Sequence, residues 1–228
     1  MFVLIPIFVL LIILTSFYVY SFFSDERRIK SFILKCLCAI TFAIIGIIAI
    51  ILKKEIHATQ IIILIGLILC MFGDILLGLR RVTKFHDGFF LIGTFVFIFA
   101  HITYDAAFFL TFNENYILMI AITIFLWTSF LVITKYTKVD FRSFQIPCYI
   151  YMLSSAIMLA IAIVTLIKVQ NLFNIIMLIG IFLFVCSDVL LCYTYFHKGI
   201  KESFLVKLIS SYAYFLGQGL IAICILIS

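Results

Sequence analysis

Phe72-Gly73-Asp74-Ile75-Leu76-Leu77 sets a carboxylate inside an apolar run, and the pattern returns as Cys186-Ser187-Asp188-Val189-Leu190-Leu191. An acid in a hydrocarbon core costs at least about 2.5–3.5 kcal/mol, so such residues turn toward a bundle interior or a wet cavity. The rest of the chain says that hydrocarbon is indeed the surroundings. Of 228 residues, 67% are hydrophobic and only 11% charged, with a mean hydropathy of +1.36. Soluble domains hold roughly 45–50% apolar and about 25% charged residues. The composition therefore describes an integral multi-pass membrane protein. Two prolines and no low-complexity tract leave no place for a boundary, so residues 1–228 are expected to form one transmembrane domain.

A helix needs about 20 apolar residues to cross the hydrocarbon. Eight runs qualify: 2–22, 29–52, 59–79, 87–110, 115–134, 144–167, 172–196 and 203–227. The fold class is all-α, an eight-helix polytopic bundle, because each span must satisfy its own backbone and none alternates as a barrel strand does. The first run lacks a basic start and a small-residue cleavage site, so it counts as a span and not a cleaved signal. The distribution of cations tests the count, since cytoplasmic loops collect Lys and Arg. Alternate connections hold Arg27, Arg28, Lys30 and Lys35; Arg80, Arg81 and Lys84; Lys135, Lys138 and Arg142; and Lys198, Lys201 and Lys207. The opposite side holds only Lys53, Lys54 and Lys168. Both termini are thus expected outside the cytoplasm, in an inner or plasma membrane if the source is bacterial and an endomembrane if it is eukaryotic. The net charge of +6 lies in these loops and implies lipid headgroups as neighbours, not nucleic acid.

The two acidic motifs lie 114 residues apart, half the chain, on spans three and seven, which run in the same direction. Two tandem four-helix halves would account for this. Ser31 to Cys36 and Ser143 to Cys148 match weakly at a similar separation. A parallel repeat would bring both acids to a shared cavity, as repeat-built transporters do with their sites. Asp74 precedes Arg80 by six residues and Asp188 precedes Lys198 by ten, so they lie roughly 9 and 15 Å below the basic edge. Lys35, Tyr149 and Tyr151 can reach the same volume.

Each polar residue also has a structural explanation. The aspartates could be interhelical glue, although such bonds are worth only about 0.6 kcal/mol on average. His101, Tyr104 and Asp105 stand at i, i+3 and i+4 and share a helix face, where they could bind a polar group, relay protons or simply satisfy one another's neighbours. Lys35 could bind phosphate or snorkel to the interface. Arg80 and Arg81 fit the role of topology determinants. Tyr212, Tyr214 and Gln218 could line a cavity or pack in the core. Gly46, Gly66, Gly93, Gly180, Gly217 and Gly219 suit close helix contacts. The seven cysteines fall in apolar segments without paired spacing and suit reduced packing residues. No Gly-rich phosphate loop, Ser-His-Asp order or zinc spacing is present, so neither a cofactor nor a metal is expected.

Together these residues resemble the lysoplasmalogenase, or YhhN-like, family of eight-span membrane enzymes, over nearly the whole chain. The resemblance rests on Gly73-Asp74-Ile75-Leu76-Leu77 and Ser187-Asp188-Val189-Leu190-Leu191. It also rests on His101-Ile102-Thr103-Tyr104 with Phe108, on Pro147 followed by Tyr151, and on Tyr214 with Gln218. Lys35 matches a family lysine commonly followed by proline, where this chain has Cys36, and Asp105 is not a family motif position. The resemblance implies hydrolysis of the vinyl ether of lysoplasmalogen to a fatty aldehyde and glycerophosphoethanolamine or glycerophosphocholine. It implies Asp74 and Asp188 as catalytic residues, and Lys35, His101, Tyr104, Tyr151, Ser187, Tyr214 and Gln218 as substrate-binding residues. The expected partners are a lysophospholipid substrate and membrane lipid.

Vinyl ether cleavage begins with protonation of the carbon β to oxygen, and water then captures the oxocarbenium ion. One aspartate would be the acid and the other would stabilise the cation and activate water. The sequence leaves open which is which. Two other readings use the same acids: a proton-coupled transporter of lipid or small molecules, and a scaffold in which the acids are helix glue.

Overall fold

A computed structural model describes residues 3–23, 28–110, 115–197 and 203–227, and all secondary structure in it is helical. Eight long helices follow in order: α1 (Leu4–Phe22), α2 (Arg28–Ile51), α3 (Ala58–Leu79), α4 (His86–Phe109), α5 (Tyr116–Tyr136), α6 (Gln145–Lys168), α7 (Leu172–Phe196) and α8 (Phe204–Ile227). All eight are long and apolar enough to cross a membrane. Their bounds agree with the eight expected spans to within two residues. Polar breaks set those bounds. The Asn171 side chain accepts the backbone N–H of Asn174 at 2.8 Å and caps α7. Asn115, Lys138 and Arg142 take positive φ angles of 71°, 53° and 52° in the connections around α5. Pro147 falls in the first turn of α6, where its missing N–H costs little. Of the basic set, Arg27, Lys198 and Lys201 lie outside the described residues, as does Ser24; its other members lie toward one end of the bundle.

The packing has the two-half pattern that the repeated motif suggests. In the first half α1 packs on α2, α2 on α3 and α3 on α4; in the second, α5 packs on α6, α6 on α7 and α7 on α8. Between halves the crossings also correspond, α4 against α6 and α8 against α2. Tyr104 and Gln218, themselves 114 residues apart like the two acids, meet across this arrangement in a hydrogen bond of 3.0 Å. The symmetry fails at the first helix of each half. α1 also packs on α8, whereas α5 leans mainly on α6 and has only 17% of its apolar window buried.

Lipid gives no hydrophobic drive between helices, so close packing and polar contacts must hold them. Glycine supplies the closeness at the α7–α8 contact. A Cβ on Gly217 would stand 2.7 Å from the Gly180 carbonyl oxygen, so the two backbones touch because neither residue has a side chain. Gly73, beside Asp74, does the same for α3 and α4: a Cβ there would meet the Phe97 ring at 2.7 Å. That contact presses α4 against the acidic motif and buries Asp74.

Candidate active site

Asp74 and Asp188 both line one chamber of about 820 Å³, counting its mouth, bounded by α1, α2, α3, α4, α6, α7 and α8. Both are buried. Their surroundings differ. The Lys35 ammonium of α2 lies 3.0 Å from Asp74 Oδ1, and the Tyr214 hydroxyl of α8 stands beside the same carboxyl. Asp74 Oδ2 and the Tyr214 hydroxyl nevertheless lack a hydrogen-bond partner. Two buried polar atoms, one on α3 and one on α8, thus stand side by side at the chamber.

Asp188 has no lysine or arginine within ion-pair distance among the described residues. The Tyr151 and Ser155 hydroxyls of α6 stand at its carboxyl, and His101 Nε2 lies 4.0 Å from its Oδ2. The state of that histidine follows from its other nitrogen. Ser154 Oγ donates its one proton to the Tyr151 carbonyl at 2.7 Å, so its 2.8 Å contact with His101 Nδ1 requires Nδ1–H as donor. In the neutral ring Nε2 then carries the lone pair, and it and Asp188 Oδ2 are both buried without a hydrogen bond. The Tyr151 and Phe184 rings, with centroids 4.9 and 5.2 Å away, hold the imidazole in place.

Of the expected site residues, Lys35, Tyr151, Ser187 and Tyr214 line the chamber with the two acids. His101, Tyr104 and Gln218 lie behind its wall. The Tyr104 hydroxyl donates to Gln218 Oε1, and both side chains reach the Cys70 thiol, at 3.8 and 3.5 Å. That closed network joins α3, α4 and α8. The shared face expected for His101, Tyr104 and Asp105 resolves into three directions. His101 turns to α6 and Tyr104 to α3 and α8, while Asp105 lies in a separate cleft that also contains Thr123 of α5. Around the helix axis His101 lies about 60° from Tyr104 and about 40° from Asp105, and those two about 100° from each other, enough for each to meet different neighbours.

One other expectation is corrected, and one open alternative is resolved in favour of packing. Tyr149 does not line the chamber; it packs on Phe141, centroids 5.5 Å apart, and its hydroxyl accepts from Gln145 Nε2 at 3.1 Å. Tyr212 faces α1 and shares a 2.6 Å hydrogen bond with Ser16. Arg80 and Arg81 make packing contacts beyond any role in topology. Arg80 lies between the Phe90 and Tyr195 rings, 4.8 and 4.7 Å from their centroids. Arg81 donates to the Phe22 carbonyl at 3.0 Å and covers the Phe22 ring. The seven cysteines are free thiols.

The sequence reading missed several lining residues: Tyr18 of α1, Thr94 of α4, and Lys207, Ser210 and Ser211 of α8. Their signal was available. Lys207, Ser211, Tyr214 and Gln218 recur at helical spacing and draw a polar stripe along an apolar span.

No curated protein and no solved structure matches this chain closely enough to report. A family model does, over residues 27–225, from the start of α2 nearly to the end of α8 and including every polar residue of the chamber except Tyr18. The chain accordingly belongs to the YhhN family, the lysoplasmalogenase family.

Proposed function

We propose that the protein hydrolyses the vinyl ether bond of lysoplasmalogen, giving a fatty aldehyde and a glycerophosphoethanolamine or glycerophosphocholine. The observation that carries the reading is the pair of acids lining one chamber with unlike partners. Family membership and the chamber's apolar walls, among them Leu77, Phe97, Met152 and Leu191, support a lipid as the substrate.

The unlike partners assign the roles. Asp74 has its negative charge matched by Lys35 and is the carboxylate; Asp188, without such a cation, is the acid. Asp188 gives its proton to the β carbon of the vinyl ether, and the resulting oxocarbenium ion is held by the Asp74 carboxylate. Water adds to the cationic carbon and passes a proton to Asp74, forming a hemiacetal. The hemiacetal O–H then returns a proton to Asp188 as the carbon–oxygen bond to glycerol breaks, and Asp74 protonates the departing oxygen. Both acids end as they began, and the sum is vinyl ether plus water to aldehyde plus alcohol. Lys35, Tyr151, Ser187 and Tyr214 orient the glycerol portion; His101, Tyr104 and Gln218 hold the wall behind them.

Aldehyde release by purified protein in detergent tests this. Hydrolysis needs no second compartment, so turnover there separates an enzyme from a carrier using the same acids. Asp74→Asn and Asp188→Asn are each expected to lower turnover by about 10²–10⁴ while remaining folded. Near-normal rates in both would end the proposal.

A further inference from the structure

The wall of the chamber formed by α8 has a feature the acids do not use. Lys207, Ser211 and Tyr214 stand at i, i+4 and i+7, all buried and all lining the chamber. Lys207 is only 8% exposed, yet among the described residues its ammonium meets no carboxylate. Its neighbours are the rings of Tyr18 and Phe22, with centroids 5.1 and 4.3 Å away. The Ser211 hydroxyl is likewise buried without a partner, and the Tyr214 hydroxyl has only the Asp74 carboxyl beside it. One edge of the chamber is therefore a row of three polar groups, each a helical turn from the next.

Charge and spacing identify what the row fits. Lys35 and Asp74 offset one another, which leaves Lys207 buried with no carboxylate in ion-pair contact among the described residues. A bare cation at such a site is costly, and an arriving monoanion removes the cost. By helix rise, Ser211 lies about 6 Å and Tyr214 about 10 Å deeper than Lys207. An extended chain advances about 1.2 Å per bond, so the seven bonds from phosphorus to the β carbon of an alkenyl glycerophospholipid span about 8–9 Å. The central glycerol hydroxyl falls between. The Tyr214 hydroxyl stands at Asp74, on the level of the reacting bond.

We infer that α8 measures the polar part of the substrate, with Lys207 binding the phosphodiester and Ser211 the free central hydroxyl of glycerol, so that the vinyl ether comes to rest between Asp74 and Asp188. A lipid acylated at the central hydroxyl offers Ser211 no donor and brings a bulky chain into the wall. The inference rests on the proposed hydrolysis for the identity of the reacting bond, but binding of the polar group does not require turnover.

The test uses full-length protein in detergent and an uncleavable probe, the saturated alkyl ether analogue of lysoplasmalogen, compared by calorimetry with the same alkylglycerol lacking phosphate. Wild type is expected to favour the phosphate-bearing probe by about tenfold to a hundredfold, as for a hydrogen bond to a charged group. Lys207→Gln abolishes that preference and Lys207→Arg keeps most of it. Ser211→Ala keeps the phosphate preference but no longer discriminates against a probe methylated at the central hydroxyl. On cleavable substrate, Lys207→Gln raises KM far more than it lowers kcat. A phosphate preference that survives Lys207→Gln overturns the assignment, as does displacement of the probe by inorganic phosphate at matching concentration, which would mark a free-phosphate site. Selective binding without aldehyde release would defeat the hydrolase reading alone; aldehyde release with an unaltered Lys207→Gln KM would defeat the α8 ruler alone.

Discussion

Asp74 and Asp188 occupy corresponding places in two halves of one chain, yet Asp74 has an ammonium at 3.0 Å and Asp188 an imidazole nitrogen at 4.0 Å with two hydroxyls nearby. The divergence lies in neighbours at the same repeat separation. At 114 residues from Lys35 stands Tyr149, which packs on Phe141, and in the Ser31–Cys36 match the position of Lys35 is held by Pro147; neither is a cation. His101 corresponds to Phe215, a core ring packed against Phe42 and Tyr214. The two acids thus line one chamber, and the residues around them give each a different charge environment. A symmetric pair would compete for a single proton with no fixed owner. In the proposed hydrolysis the unlike pair gives that proton to Asp188.

The largest effect expected from disturbing this difference is at the acid. Asp188→Asn should reduce aldehyde release about a thousandfold with the melting temperature in detergent little changed, because no cation is left unmatched. At the carboxylate the same kind of change acts on stability as well. Lys35→Met leaves Asp74 buried without its partner and is expected to cost about 3–5 kcal/mol, measured by thermal or steric-trap unfolding. Adding Asp74→Asn should restore much of that stability without restoring turnover. If Lys35→Met is as stable as wild type, the two acids are not distinguished by charge pairing.

Smaller effects probe the wall behind the chamber. Tyr104→Phe opens the hydrogen bonds to Gln218 and Cys70 and should cost about 1 kcal/mol, in the range of measured interhelical bonds, with turnover falling less than tenfold. A loss as deep as that of Asp188→Asn would place Tyr104 at the substrate. Asp105→Asn, in a cleft of its own on the α5 side, should change turnover least of all.

Helix positions were readable from the sequence because each connection carries a polar break that hydrocarbon does not tolerate. The acids were readable because an ionisable group in a span stands out against an apolar background. Direction around each helix was much less so. A membrane helix is apolar on its lipid face and its packed face alike, as the exposed Ile5, Phe17, Ile117 and Phe125 beside the buried Leu11 and Phe130 illustrate, so no hydrophobic stripe marks which side faces in. Hence Tyr149, expected to reach the cavity, lies elsewhere, Tyr212 takes the packing alternative, and His101, Tyr104 and Asp105 separate. Lys207 was hidden for another reason. Standing at the basic end of a span, it groups with the cations that set topology, and its helical spacing from Ser211 and Tyr214 together with its burial over Tyr18 and Phe22 distinguishes it.

The most direct test of acid chemistry at the shared chamber is hydrolysis of an alkenyl lysophospholipid in deuterium oxide, with the fatty aldehyde analysed by mass spectrometry before it exchanges. Protonation by Asp188 predicts one deuterium on the carbon next to the aldehyde, and its near disappearance together with product in Asp188→Asn. Aldehyde formed without deuterium at that carbon, or formed at the wild-type rate by Asp188→Asn, would contradict the account.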